Sequence, residues 1–204
     1  MSKIALNSNA SGTGVFTISS PNSDTDRTLT LPDESGTILT SASEVGVAGI
    51  NSSATGTAIT IDSSDRVLMP NQPAFQAHIE TSLPYSAGVK IFPITSVNVG
   101  SHYSTSTGLF TAPVAGVYYF NFQLLDDAGT SHADYSFKLN GTSVVTRIRT
   151  VGTAANVHVS SQMNALVSMQ ANDTIGVYQE ASGSGVLYGD TTWRWTNFKG
   201  YLIG

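Results

Sequence analysis

The chain has 204 residues, a net charge of −5 and no cysteine, which excludes disulfides and thiolate metal sites. Only 11% of its residues are charged, against about 25% in ordinary globular domains, and it has no basic run or stripe with which to hold nucleic acid. No apolar run approaches the roughly 20 residues of a membrane-crossing helix, so no membrane insertion is expected. The opening MSKIALNSNASG also lacks the apolar stretch of a signal peptide. Ordinary export would need one, whereas a virion component released by lysis would not.

Composition changes near residue 70. Residues 1–72 contain a single aromatic, Phe16, and the other seventeen lie beyond. The first part reads as short alternating strands at Val15–Ile18, Thr28–Leu31, Ala58–Ile61 and Val67–Met69, separated by turns rich in Ser, Asp, Asn, Pro and Gly. So few large side chains cannot offset the chain entropy of seventy residues. Residues 1–70 are therefore expected to be ordered by partners, as an elongated β-rich anchor or shaft. Residues 42–54 show no clear element.

From residue 71 the pattern becomes one of strands every eight to twelve residues. They are expected at Ala74–Glu80, Ser96–Val99, Gly116–Leu125, Asp134–Leu139, Ser143–Thr150, Asn156–Met169, Thr174–Glu180, Gly185–Tyr188 and Trp195–Ile203. Such spacing predicts an all-β sandwich or barrel. Leu139-Asn140-Gly141-Thr142 carries the Asn-Gly signal of a type I′ hairpin turn. In the stretch from Gly116, Tyr118, Phe120 and Phe122 point one way while Val117 and Tyr119 point the other. Both faces are apolar or aromatic, where a sheet with one wet face would alternate with polar residues. One face is expected in the core and the other against a second subunit.

Candidate chemistry is sparse. His78, His102, His132 and His158 are scattered without metal-ligand spacing. Ser131-His132 with Asp134 cannot reach triad geometry as loop neighbours, and Gly-x-Ser-x-Gly, Walker A and His-Glu-x-x-His are absent. No catalytic residue, cofactor or metal ligand is assigned, and no enzyme is expected. Asp126, Asp127 and Asp134 bracket a Gly/Ser loop that reads as solvated, with bound calcium as the alternative. In an unbroken strand Trp193, Trp195 and Asn197 would share one face, placing the tryptophans at a subunit contact or on the outside, where indole faces can stack on sugars.

Several motifs in order carry a resemblance. They are Pro73-Ala74-Phe75, Tyr103, Thr107-Gly108, Phe110-Thr111-Ala112-Pro113, Gly116-Val117-Tyr118-Tyr119-Phe120, Leu139-Asn140-Gly141, Leu166 to Val177 with Asn172-Asp173, and Phe198-Lys199-Gly200-Tyr201-Leu202. Together these resemble the globular head of complement-C1q-like proteins, relatives of the tumour necrosis factor jelly roll. Asn172 stands where the family usually has Gly before the Asp, and Asn also tolerates positive φ. The resemblance implies a jelly-roll sandwich over residues 71–204 that assembles as a tight homotrimer. It assigns Phe75, Phe110, Tyr118, Tyr119, Phe120, Phe122, Phe198 and Leu202 to core or trimer packing, and leaves Trp193 and Trp195 as possible surface or interface contacts.

Arg27 to Thr37 and Ile59 to Val67 are similar to segments of bacteriophage fibre and virion structural proteins. Together the two resemblances imply a non-enzymatic virion component, a trimeric tail or neck fibre on the exposed virion surface. Its N-terminal region would join other virion proteins, and its head would meet a host surface glycan or protein. The alternatives are a capsid decoration or collar protein without a receptor, or an extracellular C1q-like binding protein.

Overall fold

The structure, a computed structural model, describes residues 58–204 apart from 128–130, 153–156 and 183–184, with short pieces at 11–15, 17, 22–26 and 28. The expected strands at 15–18 and 28–31 and the stretch 42–54 lie wholly or largely outside the described residues. The chain divides into two units, Met1–Ser52 and Ser53–Gly204, and every strand among the described residues belongs to the second.

Every element among the described residues is a strand. In chain order they are Thr60–Ile61 (β1), Val67–Leu68 (β2), Ala74–His78 (β3), Leu83–Pro84 (β4), Gly88–Val89 (β5), Ile94–Val99 (β6), Tyr103–Ser104 (β7) and Leu109–Thr111 (β8). Gly116–Asp127 (β9), His132–Leu139 (β10), Ser143–Val151 (β11), Val159–Met169 (β12), Thr174–Ser182 (β13), Val186–Leu187 (β14) and Asn197–Leu202 (β15) complete the series. A six-stranded sheet runs β11-β10-β13-β8-β7 with β5 also on β13. A seven-stranded sheet runs β4-β14-β9-β15-β3-β6 with β12 on the far side of β9. All pairings are antiparallel, and β1 pairs with β2 alone.

Period-two alternation explains which side of β9 is buried. Tyr118, Phe120, Phe122 and Leu124 are sealed between the sheets, because successive side chains of a strand point to opposite faces. They meet Phe75 and Phe198 of the same sheet and Phe110, Tyr135 and Phe137 of the other. Each such burial contributes roughly 1.5–3 kcal/mol, in a chain with no disulfide. The aromatic packing depends on Gly200, where an added Cβ would run into Phe120 Cδ1 and lie 3.0 Å from Phe75 Cε1. Gly108 has φ +74°, and a Cβ there would come within 2.5 Å of the Lys90 carbonyl oxygen. Only glycine meets both conditions.

The turns follow their residues. Asn140 and Gly141 have φ of 51° and 75°, the pair of positive values a type I′ turn needs. Asn172, at φ 72°, takes the left-handed conformation. The closing strand differs from expectation, starting at Asn197 rather than Trp195. Asp190 Oδ1 accepts the backbone N–H of Thr192 and Trp193 at 2.8 and 2.6 Å, and Arg194 turns at φ 49°. Trp193 and Trp195 therefore stand in a capped loop, and strand alternation does not decide where they point.

Candidate functional site

The outer face of the seven-stranded sheet is the surface to explain. The pairings Val99–Ala74, Ala74–Tyr201, Tyr201–Tyr119 and Tyr119–Leu166 lay one rung across β6, β3, β15, β9 and β12. Directly opposed residues share a face, so this rung is a band of apolar and aromatic side chains. Leu166 is 66% exposed and Tyr201 49% exposed, and the Tyr119 and Tyr201 rings lie 5.5 Å apart. Val117 and Val97 add exposed apolar surface nearby. A solvated sheet face is ordinarily polar, and contiguous apolar patches of this kind mark contact surfaces.

Away from this band the face turns polar. The next rung is Gln76, Lys199, Asn121 and Asn164, with Val97 at its edge. Tyr119 Oη donates to Asn164 Oδ1 at 2.8 Å, and Asn121 Nδ2 donates to the same oxygen. The rung beyond holds His78, Asn197, Gln123 and Gln162. The loop of the two tryptophans closes over this end, since Asn197 Nδ2 donates to the Arg194 carbonyl at 3.2 Å. Trp193 is 70% exposed, and the two indoles lie 6.2 Å apart. Both ring nitrogens of His78 and Oδ1 of Asn197 are buried without a hydrogen-bond partner among the described residues, and Glu80 Oε1 lies 3.5 Å from His78 Nε2. Leaving such groups without a hydrogen bond costs about 1–3 kcal/mol each.

Two of the three carboxylates expected in a solvated or calcium-binding loop, Asp126 and Asp134, are placed differently. Asp126 is fully buried and accepts hydroxyl hydrogen bonds from Tyr85, Tyr135 and Thr150. Burial raises its pKa, opposed by those hydroxyls, and burial first, then the Asp126 carboxylate, raises that of Tyr85. Asp134 receives Arg149 through Nε and Nη2 at 2.6 and 2.8 Å and Arg147 at 3.0 Å. The Arg149 hydrogen bonds hold its carboxyl below the ordinary 3.8. Neither carboxylate lies open to solvent, because partners from β10, β11 and the segment after β4 enclose them. No group of three or more His, Cys, Asp or Glu among the described residues is arranged to hold a metal.

The Asp134 pairing has a pH signature. Its folded pKa lies below its unfolded value, so its stabilising effect is complete above the unfolded value and is lost as pH falls through the folded one. Asp134→Asn is expected to lower Tm by a few degrees at pH 7. The gap should narrow once pH falls below about 4. Thermal melts of both proteins at pH 7 and pH 3 check this, and an equal gap at both pH values would refute the assignment.

The structure places Phe75, Phe110, Tyr118, Phe120, Phe122 and Phe198 in the core, with Leu202 packed against it. Tyr119 alone of the assigned set stands on the outer face. Leu166 and Tyr201, which complete the band with it, were not singled out by sequence. Their signal lay in the alternation of β12 and β15, where Leu166 stands out of phase with the buried Met163, Val167 and Met169, and Tyr201 with the buried Phe198.

Residues 74–203 match the C1q domain. The chain belongs to the C1q domain family. Mouse complement C1q tumor necrosis factor-related protein 3 is 27% identical to it over 132 residues, covering 65% of this chain and 51% of that protein. The human protein of the same name is 26% identical over 132 residues, with the same coverage. The chain thus spans about half the length of these curated relatives. Among solved structures, the globular domain of zebrafish complement 1qA superposes with a TM-score of 0.53 at 19% identity, covering 65% of this chain and 98% of that one. Eiger TNF from S. frugiperda superposes at 0.54 and 12% identity, covering 66% and 94%. The fold is therefore the C1q and tumour necrosis factor type of all-β jelly roll. C1q-type domains are generally non-enzymatic binding domains, and members of the family form homotrimers. The expected virion location, on a tail or neck fibre, is corrected by the same findings, because these C1q relatives are mouse and human proteins and no virion component.

Proposed function

We propose that this chain is an extracellular C1q-like binding protein that works without bond-making, as a homotrimer of C1q-type heads. Residues 71–204 form the head and residues 1–70 precede it, the last of them, from Ser53, within the head's own compact unit. The band of Val99, Ala74, Tyr201, Tyr119 and Leu166 carries the proposal. It faces away from the domain's own core and no strand among the described residues is paired over it, and aromatic residues are enriched at protein interfaces. The exposed Trp193–Trp195 loop forms the rim of this face at its polar end. Three heads held together would present each surface loop three times, so that weak single contacts with a partner add through avidity.

The oligomeric mass tests this directly. Light scattering of the full chain at micromolar concentration is expected to give three times the 21.4 kDa of one copy. A stable monomer under those conditions would remove the proposal.

A further inference from the structure

The hairpin of β1 and β2 is the least supported piece of the second unit. Among the described residues it pairs with no other strand, and an isolated two-stranded hairpin is at best marginally stable in water. Its turn is nonetheless well made. Asp62 Oδ1 accepts the backbone N–H of Ser64 at 2.8 Å and of Arg66 at 3.1 Å, and Asp62 Oδ2 lies 2.7 Å from Arg66 Nη2. The hairpin's charges, Asp62, Asp65 and Arg66, are gathered there, and its strands carry none. Ile61 and Val67 are directly opposed, so they share one face. They are 69% and 63% exposed.

Two hollows join this hairpin to the rest of the head. Ile59 and Met69, flanking the strands, line one of about 650 Å³ together with Val114 and Ile203. Met69 also lines a second, of about 620 Å³, with Val99 and Tyr201. Tyr201 and Val99 belong to the apolar band of the outer sheet face. The surface is therefore continuous, from the band through Met69 to the exposed strands of the hairpin. Gln72 Nε2 donates to the Leu202 carbonyl at 2.7 Å, and Leu202 N–H donates to the Pro73 carbonyl at 3.0 Å. These bonds tie the segment after the hairpin to the closing strand beside the band.

We infer that the β1–β2 hairpin is a second self-association element, whose Ile61–Val67 face packs against a neighbouring copy of this chain and extends the sheet-face contact beyond the sheet. A second copy fits because it presents the same uncharged apolar face, and because the hairpin surface continues the band through which the copies meet. The inference rests on the homotrimer proposed above. It adds a contact outside the matched C1q domain, which begins at residue 74.

The test uses the full chain carrying Ile61→Asn and Val67→Asn. Sedimentation over a dilution series is expected to show the concentration for trimer dissociation rising about tenfold or more, about a hundredfold change in the trimer's dissociation constant and so roughly 2.8 kcal/mol per trimer. The near-ultraviolet circular dichroism of the core aromatics should stay unchanged. Thr60→Asn, on the opposite face of the hairpin, is expected to leave dissociation as it is. An unchanged dissociation concentration in the double variant of a trimeric protein overturns the inference and leaves the homotrimer standing. A lowered melting temperature with unchanged dissociation also overturns it, and shows that the hairpin supports only its own copy. A wild-type chain that stays monomeric overturns both, and that failure is visible before any substitution is made.

Discussion

Phe198→Ala is expected to remove about 3–5 kcal/mol of folding free energy, the usual cost of deleting a fully buried phenylalanine. Phe198 stands where both sheets meet. Its ring lies 4.9 Å from Phe75 in an edge contact, 6.0 Å from Phe92 and from Phe120, 6.1 Å from Tyr103 and 5.5 Å from Phe137. Truncation would leave a void bounded by five rings, four held by different strands and Phe92 by the segment before β6, which cannot all collapse into it. Natural domains carry about 5–15 kcal/mol of stability in total, so one substitution would consume much of it in a chain without disulfides. Urea unfolding should show the midpoint falling at unchanged slope. A loss below about 1 kcal/mol, the range of ordinary surface changes, would show that the core is not organised around this ring.

The second large effect is expected at Tyr119, through assembly. Tyr119→Ser should release monomers, because Tyr119 sits mid-rung between Tyr201 and Leu166 with its ring on the outer face. Buried interface aromatics typically cost about 2 kcal/mol or more when truncated. Within one copy the same change removes little beyond the hydrogen bond to Asn164 and the 5.5 Å ring contact with Tyr201. Its effect on the melting of a single head should therefore be small. Tyr119→Phe keeps the ring and is expected to remain assembled. If Tyr119→Ser melts early yet keeps the trimeric mass at every concentration, Tyr119 supports its own sheet and the contact surface lies elsewhere.

Much of the fold was legible in the residues. Alternation in Gly116–Asp127 separates the side of Tyr118, Phe120 and Phe122 from the side of Val117 and Tyr119, because strand geometry leaves a side chain only two directions. Asn140-Gly141 announced its turn for an equally local reason, the positive φ both residues accept. Where the outcome depended on residues distant in sequence, reading the chain was less effective. Asp126 looked solvated but is buried, and what permits this is three hydroxyls from Tyr85, Tyr135 and Thr150. Trp195 was placed in the closing strand, yet the loop is held back by the Asp190 caps and by Asn197. The virion context came from Ser-, Thr- and Asp-rich segments before residue 70. Turn chemistry of that kind recurs in many β-proteins, and the C1q relatives correct it.

The amino-acid sequence by itself determined an all-β chain rich in turns, an aromatic core contributed by strands after residue 71, and membership signalled by motifs in order. The first two depend on local backbone preference and period-two alternation, and the third is a resemblance of motifs. The tertiary structure alone decided that Val99, Ala74, Tyr201, Tyr119 and Leu166 form one band, since cross-strand register joins residues as far apart in sequence as Ala74 and Tyr201. It also decided that Asp126 and Asp134 are sealed by partners from other strands, and that Met69 connects the hairpin to the outer face. Registers and enclosures of this kind are properties of packed sheets, in which a side chain's neighbours are set by pairing across strands rather than by its place along the chain.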